Sequence, residues 1–296
     1  MLHRSYTPPS PLSDFIEDFW LYADYAPPHL MERILPSGTV ELVISLGDDQ
    51  LRIYDRVRPG VCERFSGAVV SGPYDRFFVI DTAEEASLVG VHFKPGGAFP
   101  FFDRPVSELV NTHVDLETLW GRSGRRLREQ LLGATGLTDI FRAVEATLRD
   151  RLSGSPRPRD AVRFALAAFS RSSPATVREV TAGVGLSHRR FVEIFRTQVG
   201  LTPKRFQRIQ RLHRLLPVVQ QATTPAWSRL AADGGYFDQS HLIHEFVTFS
   251  GFSPAMMARH LQELQRRGVH LKRNHLPLPR EGGQLFPIRA ASERRR

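Results

Sequence analysis

The sequence predicts an α+β fold: a β-rich N-terminal barrel or sandwich, a helical extension, and an all-α C-terminal domain. That last domain holds two helix-turn-helix units joined by a long helix. Three observations predict this. Short β-branched and aromatic runs fill the stretch from Leu30 to about Phe93. After Pro105 the apolar spacing becomes helical. Beyond residue 160 a pattern repeats at a constant offset of 51 residues. The expected boundaries are 1–104 for the β-rich domain, 105–152 for the extension and 153–159 for a linker. The all-α domain takes 160–265, and 266–296 is a basic tail.

In the first region VELVISLG (40–47), LRIYDRV (51–57), AVVSG (68–72), RFFVIDT (76–82) and SLVGVHFKPGG (87–97) read as strands. Gly47–Asp48–Asp49, Pro59–Gly60 and Gly72–Pro73 separate them as turns. DFIEDFWLY (14–22) fits a strand or a short helix. VSELVNTHV (106–114), LETLWGRSGRRLREQLLGA (116–134) and LTDIFRAVEATLRDRL (137–152) carry helical spacing, with Ser107 and Thr138 as N-cap candidates. SGSPRPR (153–159) has the composition of a linker. The tail from Gly268 has no sustained period and is rich in Pro, Gly and Arg, so it reads as disordered.

The bulk numbers narrow the function. A chain of 296 residues exceeds one ordinary domain. No run of 18 apolar residues exists, and MLHRSYTPPSPLSDF has no apolar core behind its charges, so neither a membrane span nor a signal peptide is expected. The single cysteine, Cys62, cannot form an internal disulfide, which suits a reducing cytoplasm. Residues 1–155 hold 16 Lys and Arg against 22 Asp and Glu, a net −6. Residues 156–296 hold 24 against 9, a net +15. The basic half has the sign needed to bind a polyanion; a solvated basic surface is the plainer alternative.

The repeat favours the polyanion. Between GLSHRRFVEIFRTQVGLTP (185–203) and YFDQSHLIHEFVTFSGFSP (236–254), Ser187 aligns with Asp238, Phe191 with Leu242, Phe195 with Phe246, Gly200 with Gly251 and Pro203 with Pro254. Each unit has an N-cap, an apolar face at four-residue spacing, a glycine for a left-handed end and a proline for the next first turn. This is the grammar of helix-turn-helix units. The remaining side chains of each second helix face outward: His188, Arg189, Val192, Glu193 and Arg196 in one, Gln239, Ser240, Ile243, His244 and Thr248 in the other. Such a mixture can read base edges, since Arg suits guanine, Gln adenine, Glu cytosine and apolar groups the thymine methyl. His241 and His244 stand three apart, but no carboxylate set completes a metal site, so they read as structural or DNA-facing.

Residues 160–260 resemble the AraC/XylS-type transcription regulators through VGLSHRRFVEIFRTQVGLTPKRFQRIQRLHRLL and GGYFDQSHLIHEFVTFSGFSP. The resemblance implies two recognition helices in successive major-groove segments on one DNA face. It implies base reading by Arg189, Val192 and Glu193 in the first unit and by Gln239, Ser240 and His244 in the second, and His188, Arg196 and Ile243 on the same outward faces complete the base-reading candidates. Arg190, Lys204, Arg205 and Arg208 are the phosphate candidates, and Arg211 and Arg214 extend the basic linking helix. Val192 and Glu193 replace the Gln/Arg pair of some members, so base preference does not transfer. Ala255–Met256–Met257 replaces an aromatic-containing sequence after the second unit.

VGVHFKPGGAFPFFDRPVSELVNTHVDLETLWG (89–121) and ILPSGTVELVISLG (34–47) resemble the N-terminal domain of a poorly characterised branch of the same regulators. By analogy with related members, that implies a cupin-like barrel serving as a sensor or oligomerisation domain, though a fold does not specify a ligand. Within Val40–Phe93 His92 is the only histidine, too few for a metal-dependent cupin enzyme. Pro95–Gly96–Gly97 lacks the Lys–Ser/Thr pair of a phosphate loop and reads as a turn. The aromatics Phe15, Phe19, Trp20, Tyr22, Phe77, Phe78, Phe99, Phe101 and Phe102 suit core packing or a ligand pocket.

The expected function is therefore a sequence-specific double-stranded DNA-binding transcription regulator, not an enzyme, without a cofactor and without a membrane partner. A small-molecule effector, RNA polymerase and a second copy of the chain are the open partners. The rivals are a cupin-type enzyme and a non-specific architectural DNA-binding protein.

Overall fold

The computed structural model describes residues 2–278, apart from 25, 26, 28, 57, 59, 83–86, 153–158, 172, 222–225 and 270–272. Most of the expected linker and the tail beyond residue 278 therefore lie outside the described residues.

Two antiparallel sheets form the N-terminal half. The first runs β1 (Leu2–Tyr6), β2 (Ile16–Ala23), β9 (Ser87–Phe93), β4 (Glu41–Ser45), β7 (Ala68–Ser71) and β10 (His113–Asp115). The second runs β11 (His275–Pro277), β3 (Met31–Ile34), β8 (Phe78–Asp81), β5 (Gln50–Tyr54) and β6 (Cys62–Ser66). Side chains alternate across each strand, so each sheet serves two layers. The outer face of the first sheet (Phe19, Leu42, Ile44, Val70, Val91, Phe93) packs on α1 (Leu116–Trp120), α2 (Arg122–Leu132) and α3 (Leu137–Leu152). Its inner face offers Trp20, Val69 and Leu88 to Leu51 and Phe65 of the second sheet. The outer face of the second sheet (Leu35, Phe77, Val79) joins the core of the C-terminal helices.

Those helices are α4 (Asp160–Phe169), α5 (Val177–Gly183), α6 (His188–Val199), α7 (Pro203–Gln221), α8 (Trp227–Asp233), α9 (Gln239–Ser250) and α10 (Pro254–Arg266). Of Ala255–Met256–Met257, the stretch without an aromatic residue, the last helix buries Met257, half-buries Met256 and leaves Ala255 exposed.

The structure departs from the sequence reading at several points. Residues 106–114 form no α-helix: Val106–Leu109 is a short 3-10 turn, and His113–Asp115 pairs with β7. The apolar spacing is genuine, but it serves a turn that buries Val106 and Leu109. Ser107 therefore caps nothing, and Thr138 lies inside α3, whose first turn is closed on the Gly136 carbonyl. The expected helix at 116–134 breaks at Gly121, which has φ +56°. The stretch 14–22 resolves chiefly as strand. The strands β1, β3, β6 and β11 carried no clear signal of their own. The tail also departs from its reading, because β11 zips onto β3 and buries Leu276 and Leu278 against the helical core.

Candidate nucleic-acid interface

Each second helix is built from local chemistry. Thr176 and Glu179 form a reciprocal capping box at α5, with bonds of 2.7 and 3.2 Å. Ser187 Oγ accepts the Arg190 amide at 3.3 Å and Asp238 Oδ1 accepts the His241 amide at 2.7 Å, so both recognition-type helices start on a side-chain cap. Both end on glycines of positive φ, Gly200 and Gly251, where another residue would be strained. Phe191, Ile194, Phe195 and Val199 on α6 and Leu242, Phe246 and Phe249 on α9 are buried.

The opposite faces are open. His188, Arg189, Arg190, Glu193 and Arg196 are exposed on α6 and Val192 is half-buried. Gln239, Ser240, Ile243 and His244 are exposed on α9, while Thr248 is half-buried. Arg190 pairs with Glu193 at 2.9 Å, an exposed contact of little energetic weight. Lys204 is exposed at the start of α7.

Two of the phosphate candidates are turned inward, and that reading is corrected. Arg205 Nε lies 3.1 Å from Asp75 Oδ2, and an Nη donates to the Asp75 carbonyl at 3.1 Å. Burial alone would raise the Asp75 carboxyl, but Arg76 and Arg205 hold it below the usual carboxylate range. Arg208 pairs with Glu245, which is fully buried beneath α9 and is also approached by Arg211. These guanidiniums balance carboxylates inside the protein, so they are not free for phosphate.

His241 is structural. Its Nδ1 accepts the Phe237 amide at 3.2 Å, its Nε2 lies 3.4 Å from Glu245, and Tyr236 meets its ring edge-on. Sequence reasoning missed Glu245, although its position three past Leu242 and four before Phe249 is a core position. It also missed Phe237, which is 92% exposed. The second turn, from Asp233 to Asp238, is one residue longer than the first, from Gly183 to Ser187. Tyr236 takes the inner place that Leu186 holds in the first unit, and Phe237 is left outside.

In the N-terminal half several inner-face side chains are less buried than their outer-face neighbours. Tyr22, Glu41, Val43, Ile53, Phe78, Ile80 and His92 are only partly buried, whereas their outer-face neighbours Leu21, Leu42, Val79 and Val91 are buried. His92 Nδ1 lies 2.7 Å from Asp18 and Nε2 2.8 Å from Glu41. Burial opposes the charged imidazole, but Glu41 and Asp18 outweigh it and bring His92 up to about 9. Of the aromatics, Phe15, Phe19, Phe101 and Phe102 fill the core beneath the helical extension, Phe77 joins the helical core, and Trp20, Tyr22 and Phe78 lie between the sheets. Phe99 packs partly buried at the edge of the first of these cores. Pro95–Gly97 is a turn closed by the Gly97 amide on the Lys94 carbonyl at 2.8 Å. Among the described residues, no three His, Cys, Asp or Glu side chains are grouped to hold a metal ion, and no helix is long and apolar enough to cross a membrane.

Two capped helices with open polar faces, held on a shared core by a basic linking helix, form a pair of helix-turn-helix units. Residues 180–260 match the model of a helix-turn-helix domain. Residues 4–115 match the model of a domain of unknown function, DUF6597. No curated protein matches the chain. Among solved structures the chain is similar to ToxT from Vibrio cholerae O395 bound to (E)-4-(8-methylnaphthalen-1-yl)but-3-enoic acid, at 10% identity, TM-score 0.42, over 83% of this chain and 99% of that one. It is also similar to unsaturated fatty acid-bound wild-type ToxT from Vibrio cholerae strain SCE256, at 8% identity, TM-score 0.37, over 80% and 91%.

Proposed function

We propose that the chain reads a two-part site in duplex DNA, with α6 and α9 in successive major-groove segments. The observation that carries this is the repeat: two capped helices 51 residues apart, each burying one face and exposing a face of base-reading side chains. Base readers are His188, Arg189, Val192, Glu193 and Arg196, then Gln239, Ser240, Ile243 and His244. Arg190 and Lys204 supply phosphate contacts, which add salt-dependent affinity but no sequence choice. Non-catalytic action in the cytoplasm belongs to this proposal, as do RNA polymerase and a second copy of the chain as protein partners.

Selection from random duplexes at about 150 mM salt tests it, because non-specific attraction is weakened there. The expected result is two enriched motifs with centres about 10 base pairs, or about 34 Å, apart. Uniform recovery of all sequences overturns it in favour of a non-specific binder.

A second reading concerns control. The partly buried inner-face residues Tyr22, Val43, Ile53, Phe78 and Ile80, with the Asp18–His92–Glu41 cluster, support binding of a small molecule between the sheets. Such a ligand would act by favouring one arrangement of the two halves over another. A panel of small molecules that leaves the melting temperature of the full chain unmoved counts against it.

A further inference from the structure

The two recognition helices have their C-terminal ends seated on the N-terminal domain. A Cβ at Gly200, ending α6, would stand 2.4 Å from Pro73 and 3.2 Å from Val106. A Cβ at Gly251, ending α9, would stand 2.8 Å from Phe77 and 3.1 Å from an Arg33 Nη. Both helix ends therefore touch the β-domain too closely for any side chain to intervene.

Arg33 makes the second seat specific. It lies on β3, is 2% exposed, and its Nη1 donates to the Ser250 carbonyl at the end of α9 at 3.2 Å. Its guanidinium lies 4.7 Å from the Phe77 ring and 4.2 Å from the Phe252 ring. A cation at this end of a helix is favoured by the helix dipole, and aromatic faces add to it. Burial brings the Arg33 guanidinium down to about 10, still charged at neutral pH.

Between the two seats Asp75 holds Arg205 on α7, the helix that joins the units. Further along α7, His213 Nε2 donates to the Pro36 carbonyl at 2.7 Å. Residues 73–77 thus meet α6 through Pro73, α7 through Asp75 and α9 through Phe77. Tyr74 turns the other way: its hydroxyl lies 2.5 Å from His113 Nδ1, and its ring lies 4.5 Å from that of Phe78, an inner-face residue. Burial holds His113 down to about 3, so it is neutral and its Nδ1 can accept from the tyrosine.

We propose that residues 73–77, with Arg33, form a bar that sets the pose of the two recognition helices relative to each other, and that Tyr74 links that pose to the inner-face residues His113 and Phe78. This rests on the reading that both helices enter DNA. Each helix has 12 residues and is about 18 Å long, so a small shift at its seated end tilts the end that reads DNA. Paired docking tolerates little such change, because half-sites must fall about one helical turn apart. Arg33, Asp75 and Tyr74 are positioning residues here; none of them needs to touch DNA.

The test is random-duplex selection with the full chain, scoring the spacing between the two motifs separately from the bases within each. The wild type is expected to show one dominant spacing. Arg33→Met, Asp75→Asn and Tyr74→Phe are expected to keep both base motifs while spreading the spacing over at least two values. Arg33→Lys, which still caps the Ser250 carbonyl with a cation, is expected to restore the single spacing. A purely structural role would weaken both motifs together and leave the spacing alone. An unaltered spacing in Arg33→Met and Asp75→Asn overturns the bar, and an unaltered spacing in Tyr74→Phe overturns the inward link. If Arg33→Met does not fold, Asp75→Asn, at a half-buried site, decides in the same way. A wild type without paired motifs overturns the DNA reading and this inference with it, whereas paired motifs insensitive to all three changes overturn this inference alone.

Discussion

The two helix-turn-helix units share one grammar and place their charge oppositely. The first keeps its ionic groups outside: Arg189, Arg190, Glu193 and Arg196 are exposed, over a buried face of Phe191, Ile194, Phe195 and Val199. The second keeps a carboxylate inside. Glu245 is fully buried and held by Arg208 and Arg211 of α7, while its open face carries Gln239, Ser240, Ile243 and His244 and no Lys, Arg, Asp or Glu among them. A duplicated motif therefore need not duplicate its energetics. The first unit is suited to bring electrostatic attraction to DNA, and the second unit's pose depends on an ionic contact with the linking helix.

The largest expected difference is in stability. Glu245→Ala leaves two guanidiniums without their buried partner and should cost about 3–5 kcal/mol, read as a fall in denaturant midpoint. The matched exposed carboxylate, Glu193→Ala, should stay within about 0.5 kcal/mol. Equal losses at the two sites would erase the contrast. Next comes base recognition. Arg189→Ala and Gln239→Ala should each cost about 1–3 kcal/mol of binding and blur one motif only, the first and second respectively. Titrations of both variants against each half-altered duplex would show it. Third, Arg190→Ala and Lys204→Ala should each lower the slope of log affinity against log salt by about 1, with Gln239→Ala leaving it unchanged. An equal slope change for Gln239→Ala would mean the second unit also carries the salt dependence. Smallest is the turn. Phe237→Ser removes an exposed ring and should alter stability by no more than about 0.5 kcal/mol. Leu186→Ser, at the partly buried counterpart in the shorter turn, should cost more in the same melting experiment.

The recognition helices were legible because their signals are local. A cap, a four-residue apolar spacing and a terminal glycine act within one or two turns of chain, so Ser187, Asp238, Gly200 and Gly251 announce α6 and α9 directly. The same local logic misled at 106–114, where apolar spacing serves a 3-10 turn and a strand paired with the distant β7. It was silent on β11, because the Arg- and Pro-rich tail has no period and its strand exists only through its partner β3. Composition also could not sort the arginines of α7. Exposed and buried ones look alike in the chain, and Asp75 and Glu245, which hold Arg205 and Arg208, lie 130 and 37 residues away.

The sequence by itself determined the split into a β-rich acidic half and a helical basic half, the duplication of the helix-turn-helix unit, and most of the residues each unit turns outward, Val192 and Thr248 being half-buried. All of these follow from short-range hydrogen bonding, side-chain period and net charge. Only the tertiary structure decided which charges are paired inside the protein, which inner-face side chains stay partly exposed, and that both recognition helices end against residues 73–77 and Arg33. Those outcomes depend on which groups lose their water and which partner they meet, and desolvation is a property of the packed layers rather than of any stretch of chain.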